Sequence, residues 1–204
     1  SGSDIWQRGT SFTASGYYAD RWYVDYGAGT GRTVSRQTGT DQFQYVQRIQ
    51  RNSANTSTTV MYAGQSFEIA DATPFAGKTV TVSFYARKGA DYSATSSILT
   101  AYLYTGTGTD QNVYTAGYTG SVTAINQNAT LTATWQRFSY TATLAGSATE
   151  IGINFIGAYT GTASTNDYYE ITGIQLEVGS VATQFSRAGA TIQGELAACK
   201  RYLP

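Results

Sequence analysis

Two tyrosines stand two residues apart, Tyr102 and Tyr104, in the run I-L-T-A-Y-L-Y-T. On a strand that spacing puts both rings on one face. Together they form a flat apolar platform with hydroxyls at its edge. Tyr114 and Tyr118 follow in the next loop, and Trp22 stands in A-D-R-W-Y-V. Tyr102, Tyr104, Tyr114, Tyr118 and Trp22 are the candidate ligand-binding set, because aromatic faces of this kind stack on flat ligands. Each also has a plainer reading. The chain has 17 tyrosines, so any one of them more often lines a half-buried sheet face or a subunit interface. Trp22 and Trp135 sit in strand patterns that favour the core or a sheet edge.

Other chemistry is scarce. There is no histidine and a single cysteine, Cys199. That removes Ser-His-Asp and Cys-His catalysis, imidazole metal ligation and an intramolecular disulfide. The carboxylates are scattered from Asp20 to Glu195. Glycoside hydrolysis needs two carboxyls roughly 5–10 Å apart across a cleft, and nothing in the spacing marks such a pair. The expectation is a protein without enzymatic activity, cofactor or bound metal. Cys199 reads as a small buried hydrophobe, and Arg21 as the ion-pair partner of Asp20.

Composition narrows the partners. Acidic and basic residues balance at 13 each, and no basic cluster occurs. This argues against nucleic acid as a partner. No apolar run approaches the roughly 20 residues needed to cross a bilayer. Charged residues make up 13% of the chain, about half the usual share. Thr, Gly, Ala and Ser dominate instead, with 17 tyrosines; Thr and Tyr suit pleated strands and the glycines suit turns. Ser1-Gly2-Ser3 has the look of an expression scar. Residues 4–204 are then expected to form a single all-β domain.

The elements that must position the aromatics follow from period-2 alternation. Residues 78–88, K-T-V-T-V-S-F-Y-A-R-K, are the clearest strand, with Val80, Val82, Phe84 and Ala86 on one face. Residues 97–105, 135–144 and 150–157 alternate similarly. Residues 17–26 and 42–51 read as strands, and 57–62 and 65–70 as a pair turning at Ala63-Gly64. Residues 27–39 read as a loop. Residues 106–134 read as a long excursion or two poor strands. The stretch 167–185 reads as the last strand, with a bulge at Gly173. Only 191–203 has helical spacing, through Ile192, Leu196, Cys199 and Leu203. The pattern predicts a β-sandwich with a short C-terminal helix, and the resemblance described next implies that the sandwich is a jelly roll.

The two ends of the chain, read together, carry a resemblance. D-I-W-Q-R-G-T (4–10) with Y-Y-A-D-R-W-Y-V (17–24) resembles the start of bacteriophage tail fibre C-terminal domains. I-T-G-I-Q-L-E-V-G-S-V-A-T-Q-F (171–185) with G-E-L-A-A-C-K-R-Y (194–202) resembles their close. Between them, 77–89 and 135–144 look like paired strands of galactose-binding-like jelly rolls, as in carbohydrate-binding modules. The resemblance covers most of residues 4–202 and is weak over 27–60 and 106–134. It implies a receptor-binding domain at the distal end of a virion's tail fibre, homotrimeric and binding a host surface glycan. A structural trimerisation or capping domain without ligand is the alternative, and a glycan-degrading enzyme a third. The same modules often carry a calcium ion, here near Asp4 and Glu170. The chain lacks their paired aspartates before the last strand, so no metal site is expected.

Overall fold

A computed structural model describes residues 3–200, apart from Asp20, Asp41 and Ala188. The strands are β1 (Ser11–Phe12), β2 (Gly16–Tyr17), β3 (Tyr23–Asp25), β4 (Arg32–Thr40), β5 (Phe43–Arg51), β6 (Met61–Phe67), β7 (Thr79–Lys88), β8 (Ile98–Gly106), β9 (Val122–Thr130), β10 (Gln136–Thr143), β11 (Glu150–Gly157) and β12 (Tyr168–Val178). A one-turn helix α1 (Ile69–Ala72) follows β6, and α2 (Ile192–Lys200) lies near the C-terminus. The strands form two six-stranded sheets, β1-β4-β5-β12-β7-β10 and β2-β3-β6-β11-β8-β9. All pairings are antiparallel. The expected jelly-roll sandwich with a short C-terminal helix is therefore what forms.

Alternation builds the core. On β7, Val80, Val82, Phe84 and Ala86 turn inward and are at most 3% exposed. Leu99, Ala101 and Leu103 of β8 and Ile151, Ile153 and Phe155 of β11 meet them from the second sheet. Phe84 packs edge-on against Phe155, with ring centres 4.7 Å apart. Each such side chain contributes about 1.5–3 kcal/mol through burial.

Three expectations are corrected. Residues 27–39 are not all loop, since β4 runs from Arg32 to Thr40 along β5. Its apolar signal is faint because Arg32 takes a buried position, where its Nη groups donate to the Tyr26, Val60 and Thr59 carbonyls. Ala63-Gly64 is not a turn, since β6 passes straight through it. Residues 17–26 are not one strand. β2 and β3 form a hairpin, and Arg21 between them takes φ 65°. Arg21 pairs with Asp71 at 3.5 Å; its expected partner Asp20 lies outside the described residues, as does Leu203. Ser3 is 1% exposed and accepts a hydrogen bond from Gln47 at 2.9 Å.

The bulge in β12 is real. Gly173 has φ +58°, and the register against β7 shifts between Thr172 and Gln175. A Cβ there would sit 2.5 Å from the Phe43 ring. At the head of β12, Asp167 pairs with Arg51 at 3.2 Å, both wholly buried. Arg51 also donates to the Asn55, Thr160 and Gly161 carbonyls, and Asp167 accepts from Ser93. One ion pair thus ties together three loops at that end of the sandwich.

Past β12 the chain folds back as a tail. Thr183 donates through N–H and Oγ1 to Glu177, and Ser186 N–H to Gln175. Arg187 pairs with Asp4 at 2.7 Å. Thr191 Oγ1 accepts the Gly194 N–H and starts α2. Only part of the expected apolar stripe is covered: Cys199 is 5% exposed, whereas Ile192 is 42% exposed.

Two outcomes follow. Removing one partner of a buried pair strands the other charge, so Asp167→Ala should destabilise the fold by about 3–5 kcal/mol. A urea midpoint within error of wild type would contradict this. Burial alone would raise the Glu177 carboxyl, but hydrogen bonds from Thr183 and Gln175 outweigh it and hold the group below the usual carboxylate range. The tail contact it makes is therefore complete above the ordinary glutamate value of about 4.3 and is lost as pH falls through the lower folded value. In an NMR titration, the Glu177 carboxyl and the Thr183 amide should share a midpoint below the ordinary value. A midpoint at or above it would refute the account.

Candidate functional site

The outer face of the second sheet gathers four of the five predicted residues. On β8, inward Leu99, Ala101 and Leu103 alternate with outward Thr100, Tyr102 and Tyr104. The Tyr102 and Tyr104 rings are half-buried and nearly parallel, with centres 5.4 Å apart and planes 5° apart. This is the platform that the spacing predicts. Across the ladder, Tyr102 is flanked by Asn154 of β11 and Asn126 of β9. Thr100 donates to Asn128 at 2.9 Å. The rings thus sit among amide and hydroxyl groups.

Tyr114 and Tyr118 come to the same face by a different route. The loop 107–121 folds onto the sheet, and these two tyrosines pin it. Tyr114 Oη donates to the Ile153 carbonyl at 2.6 Å, and Tyr118 Oη to the Ile151 carbonyl at 2.9 Å. The Tyr114 ring stacks on Tyr23 with centres 5.5 Å apart, and Tyr23 meets Tyr17 edge-on. Gly64 makes this possible, because a Cβ there would overlap the Tyr114 hydroxyl and the Ile153 carbonyl. Tyr118, at 7% exposure, has little surface to offer a ligand. Both residues hold the wall of the site; Tyr102 and Tyr104 form its open part.

Trp22 is the exception. It turns into the core at 1% exposure and stacks near Phe155, with ring centres 6.3 Å apart. The hairpin alternation explains this: Trp22 and Val24 point inward, while Tyr23 points outward. Trp22 therefore offers nothing to the tyrosine face.

The structure adds a residue that sequence reasoning passed over. Asn154 is 2% exposed, and its Oδ1 is buried without a hydrogen-bond partner. It lies on β11 between Gly64 of β6 and Tyr102 of β8. A buried amide oxygen without a donor costs about 1–3 kcal/mol, and it stands beside the ring pair. Period 2 in E-I-G-I-N-F-I-G marks it as outward-facing, but only the sheet order places it beside Tyr102. Glu150, on the same outward line, is wholly buried and accepts the Gln111 N–H at 2.5 Å.

Electrostatics keep the face neutral. Burial, with Tyr102 and Tyr62 nearby, pushes the Tyr104 hydroxyl up to about 12. Burial also pushes Tyr118 up to about 12 and Tyr114 well above its ordinary value. All three hydroxyls are therefore protonated donors at neutral pH. Among the described residues, no three His, Cys, Asp or Glu side chains group as metal ligands. Asp4 is held by Arg187, and Glu170 by Arg48 and Arg87.

No protein-family model matches the sequence, and no curated protein matches it. Solved structures do. The CBM22-1 xylan-binding domain of Paenibacillus barcinonensis Xyn10C superposes with a TM-score of 0.50 at 11% identity, over 84% of this chain and 94% of that one. A xylan-binding domain from CBM 22 gives 0.50 at 13% identity, over 87% and 99%. The enzymatically active domain of tailspike protein 4 from bacteriophage CBA120 gives 0.51 at 12% identity, over 78% of this chain but 19% of that longer one. At these identities the likeness is one of fold. The chain shares the β-sandwich of carbohydrate-binding modules and of one phage tailspike.

Gly64→Ala forces a methyl group against a neighbouring strand's backbone, so it should cost about 1–3 kcal/mol. Tyr114→Phe loses one hydrogen bond and should cost about 0.5–1.5 kcal/mol. Urea unfolding of both variants tests the packing; the reverse order of cost would contradict it.

Proposed function

We propose that this protein is a non-catalytic glycan-binding domain whose ligand lies on the Tyr102–Tyr104 platform. One observation carries the reading: a parallel, half-buried ring pair stands beside Asn154, whose buried Oδ1 has no donor. Sugar rings present C–H faces that stack on tyrosine, and their hydroxyls supply the missing donor, directly or through a water. Asn126, Asn128 and Thr100 add polar partners along the rim. Carbohydrate-binding neighbours with the same fold support the class of ligand.

The fuller reading sets the domain at the distal end of a phage tail fibre, as a homotrimer that binds a glycan on the host surface. The motifs at the two ends of the chain support it, and a tailspike shares the sandwich. Three tethered copies would raise the avidity of a weak site by effective concentration.

A glycan array, probed with protein whose mass in solution has been measured, tests both levels. Wild type should bind a defined group of glycans. The Tyr102→Ala/Tyr104→Ala double variant should bind those glycans at least about 10-fold more weakly, which is about 1.4 kcal/mol. Affinity should stay flat from neutral pH to about pH 9 as far as Tyr104 is concerned, because burial pushes its hydroxyl up to about 12 and keeps it protonated. Array-wide failure of the wild type, with no competition against phage adsorption, would leave a structural capping domain instead. Shortening of a bound polysaccharide would contradict the non-catalytic assignment.

A further inference from the structure

The two sheets part where β6 ends and β12 runs on beyond its bulge. A cleft of about 480 Å³ enters the sandwich there. It lies between the sheets, away from the tyrosine face. Its apolar wall comes from Phe67, Ile153, Ile174 and Leu176. Thr183 and Ser186 of the folded-back tail line it from outside, held by Glu177 and Gln175.

Two buried polar side chains line the same cleft. Trp22 is 1% exposed, and its indole N–H has no hydrogen-bond partner. Gln65 is 6% exposed and belongs to the inward set of β6. An indole N–H is a donor only, so it calls for an acceptor. A phenylalanine at position 22 would give the same apolar contact to Phe155 without an orphan donor. A water satisfies the donor but leaves the apolar wall of Phe67, Ile153, Ile174 and Leu176 uncovered. An anionic acceptor is disfavoured as well. Glu177, Glu195 and Asp71 all line the cleft, and the one arginine there, Arg21, is already paired with Asp71.

A neutral carbonyl next to a small apolar group meets these conditions. We propose that the cleft binds the acetyl group of an N- or O-acetylated sugar. The methyl packs against Ile153, Ile174 and Leu176, and the carbonyl oxygen accepts the Trp22 N–H, with the Gln65 amide alongside. The pyranose ring then sits at the mouth, within reach of Thr183 and Ser186. The volume falls in the range of small-ligand sites and accommodates one acetylated ring. This rests on the glycan-binding reading, but it uses a different part of the molecule from the tyrosine platform.

NMR of the ¹⁵N-labelled full chain tests it, because three tryptophans give three indole signals. Trp6→Phe and Trp135→Phe identify their own signals, and Trp22 is assigned by elimination without disturbing the core. Titration with N-acetylglucosamine should move the Trp22 indole proton downfield and saturate. Glucose over the same range should leave it in place. Ser186→Phe, an exposed substitution that fills the mouth without adding an indole, should abolish the shift while the other indole signals stay unchanged. Tyr102→Ala/Tyr104→Ala should leave the shift intact, so failure of the platform and failure of the cleft are told apart. An unmoved Trp22 signal up to tens of millimolar N-acetylglucosamine, an equal response to glucose, or a shift that survives Ser186→Phe would each overturn the proposal.

Discussion

The second sheet holds a tyrosine-bearing loop only because Gly64 leaves room for it. A side chain at that position would occupy the space of the Tyr114 hydroxyl and press on the Ile153 carbonyl. Gly106 does the same for Tyr118, whose Cβ lies 2.6 Å from where a glycine Cβ would be built. With the sheet cleared, residues 107–121 lie flat and donate to β11 through Tyr114 and Tyr118. Asp110 then reaches across to accept the Ile69 N–H at the start of α1. The loop closes one side of the outer face and leaves Tyr102 and Tyr104 as its open part. The shape of the tyrosine face is thus set by absent side chains as much as by present ones.

β12 plays the corresponding part for the sandwich as a whole. Its first residues follow Asp167, which anchors three loops through Arg51. Its middle carries Glu170, which bridges Arg48 and Arg87 on the neighbouring strands. Its bulge at Gly173 resets the register, so that Ile174 and Leu176 turn toward the parting of the sheets. Both clusters of charge are paired within the fold. This is the arrangement of a scaffold, and it leaves the neutral polar and aromatic groups to meet a ligand.

Much of this was legible in the sequence wherever one face of a strand carries apolar residues. β7, β8, β11 and the bulged β12 follow from alternation alone. β4 does not, because inward positions in that region hold Arg32, Gln47 and Arg51, which are buried by hydrogen bonding rather than by apolarity. Ala63-Gly64 resembles a turn, but its glycine serves a tyrosine 50 positions further on, a contact no local pattern encodes. The platform was readable from the i, i+2 spacing of Tyr102 and Tyr104. Asn154 was not, because its position beside Tyr102 depends on β11 lying next to β8. Trp22 was named for its chemistry, and its place in the core follows from the alternation of its own hairpin.

A neutral surface, a fold shared with carbohydrate-binding modules and an aromatic platform beside an unmet amide are the grounds for the proposal of glycan recognition. The most direct measurement is a crystal structure with a glycan that the domain binds. The account predicts a sugar ring stacked on Tyr102 and Tyr104, with a hydroxyl or a bridging water paired to Asn154 Oδ1. Well-defined ligand density on the first sheet's outer face, with the Tyr102–Tyr104 face bare, would contradict it.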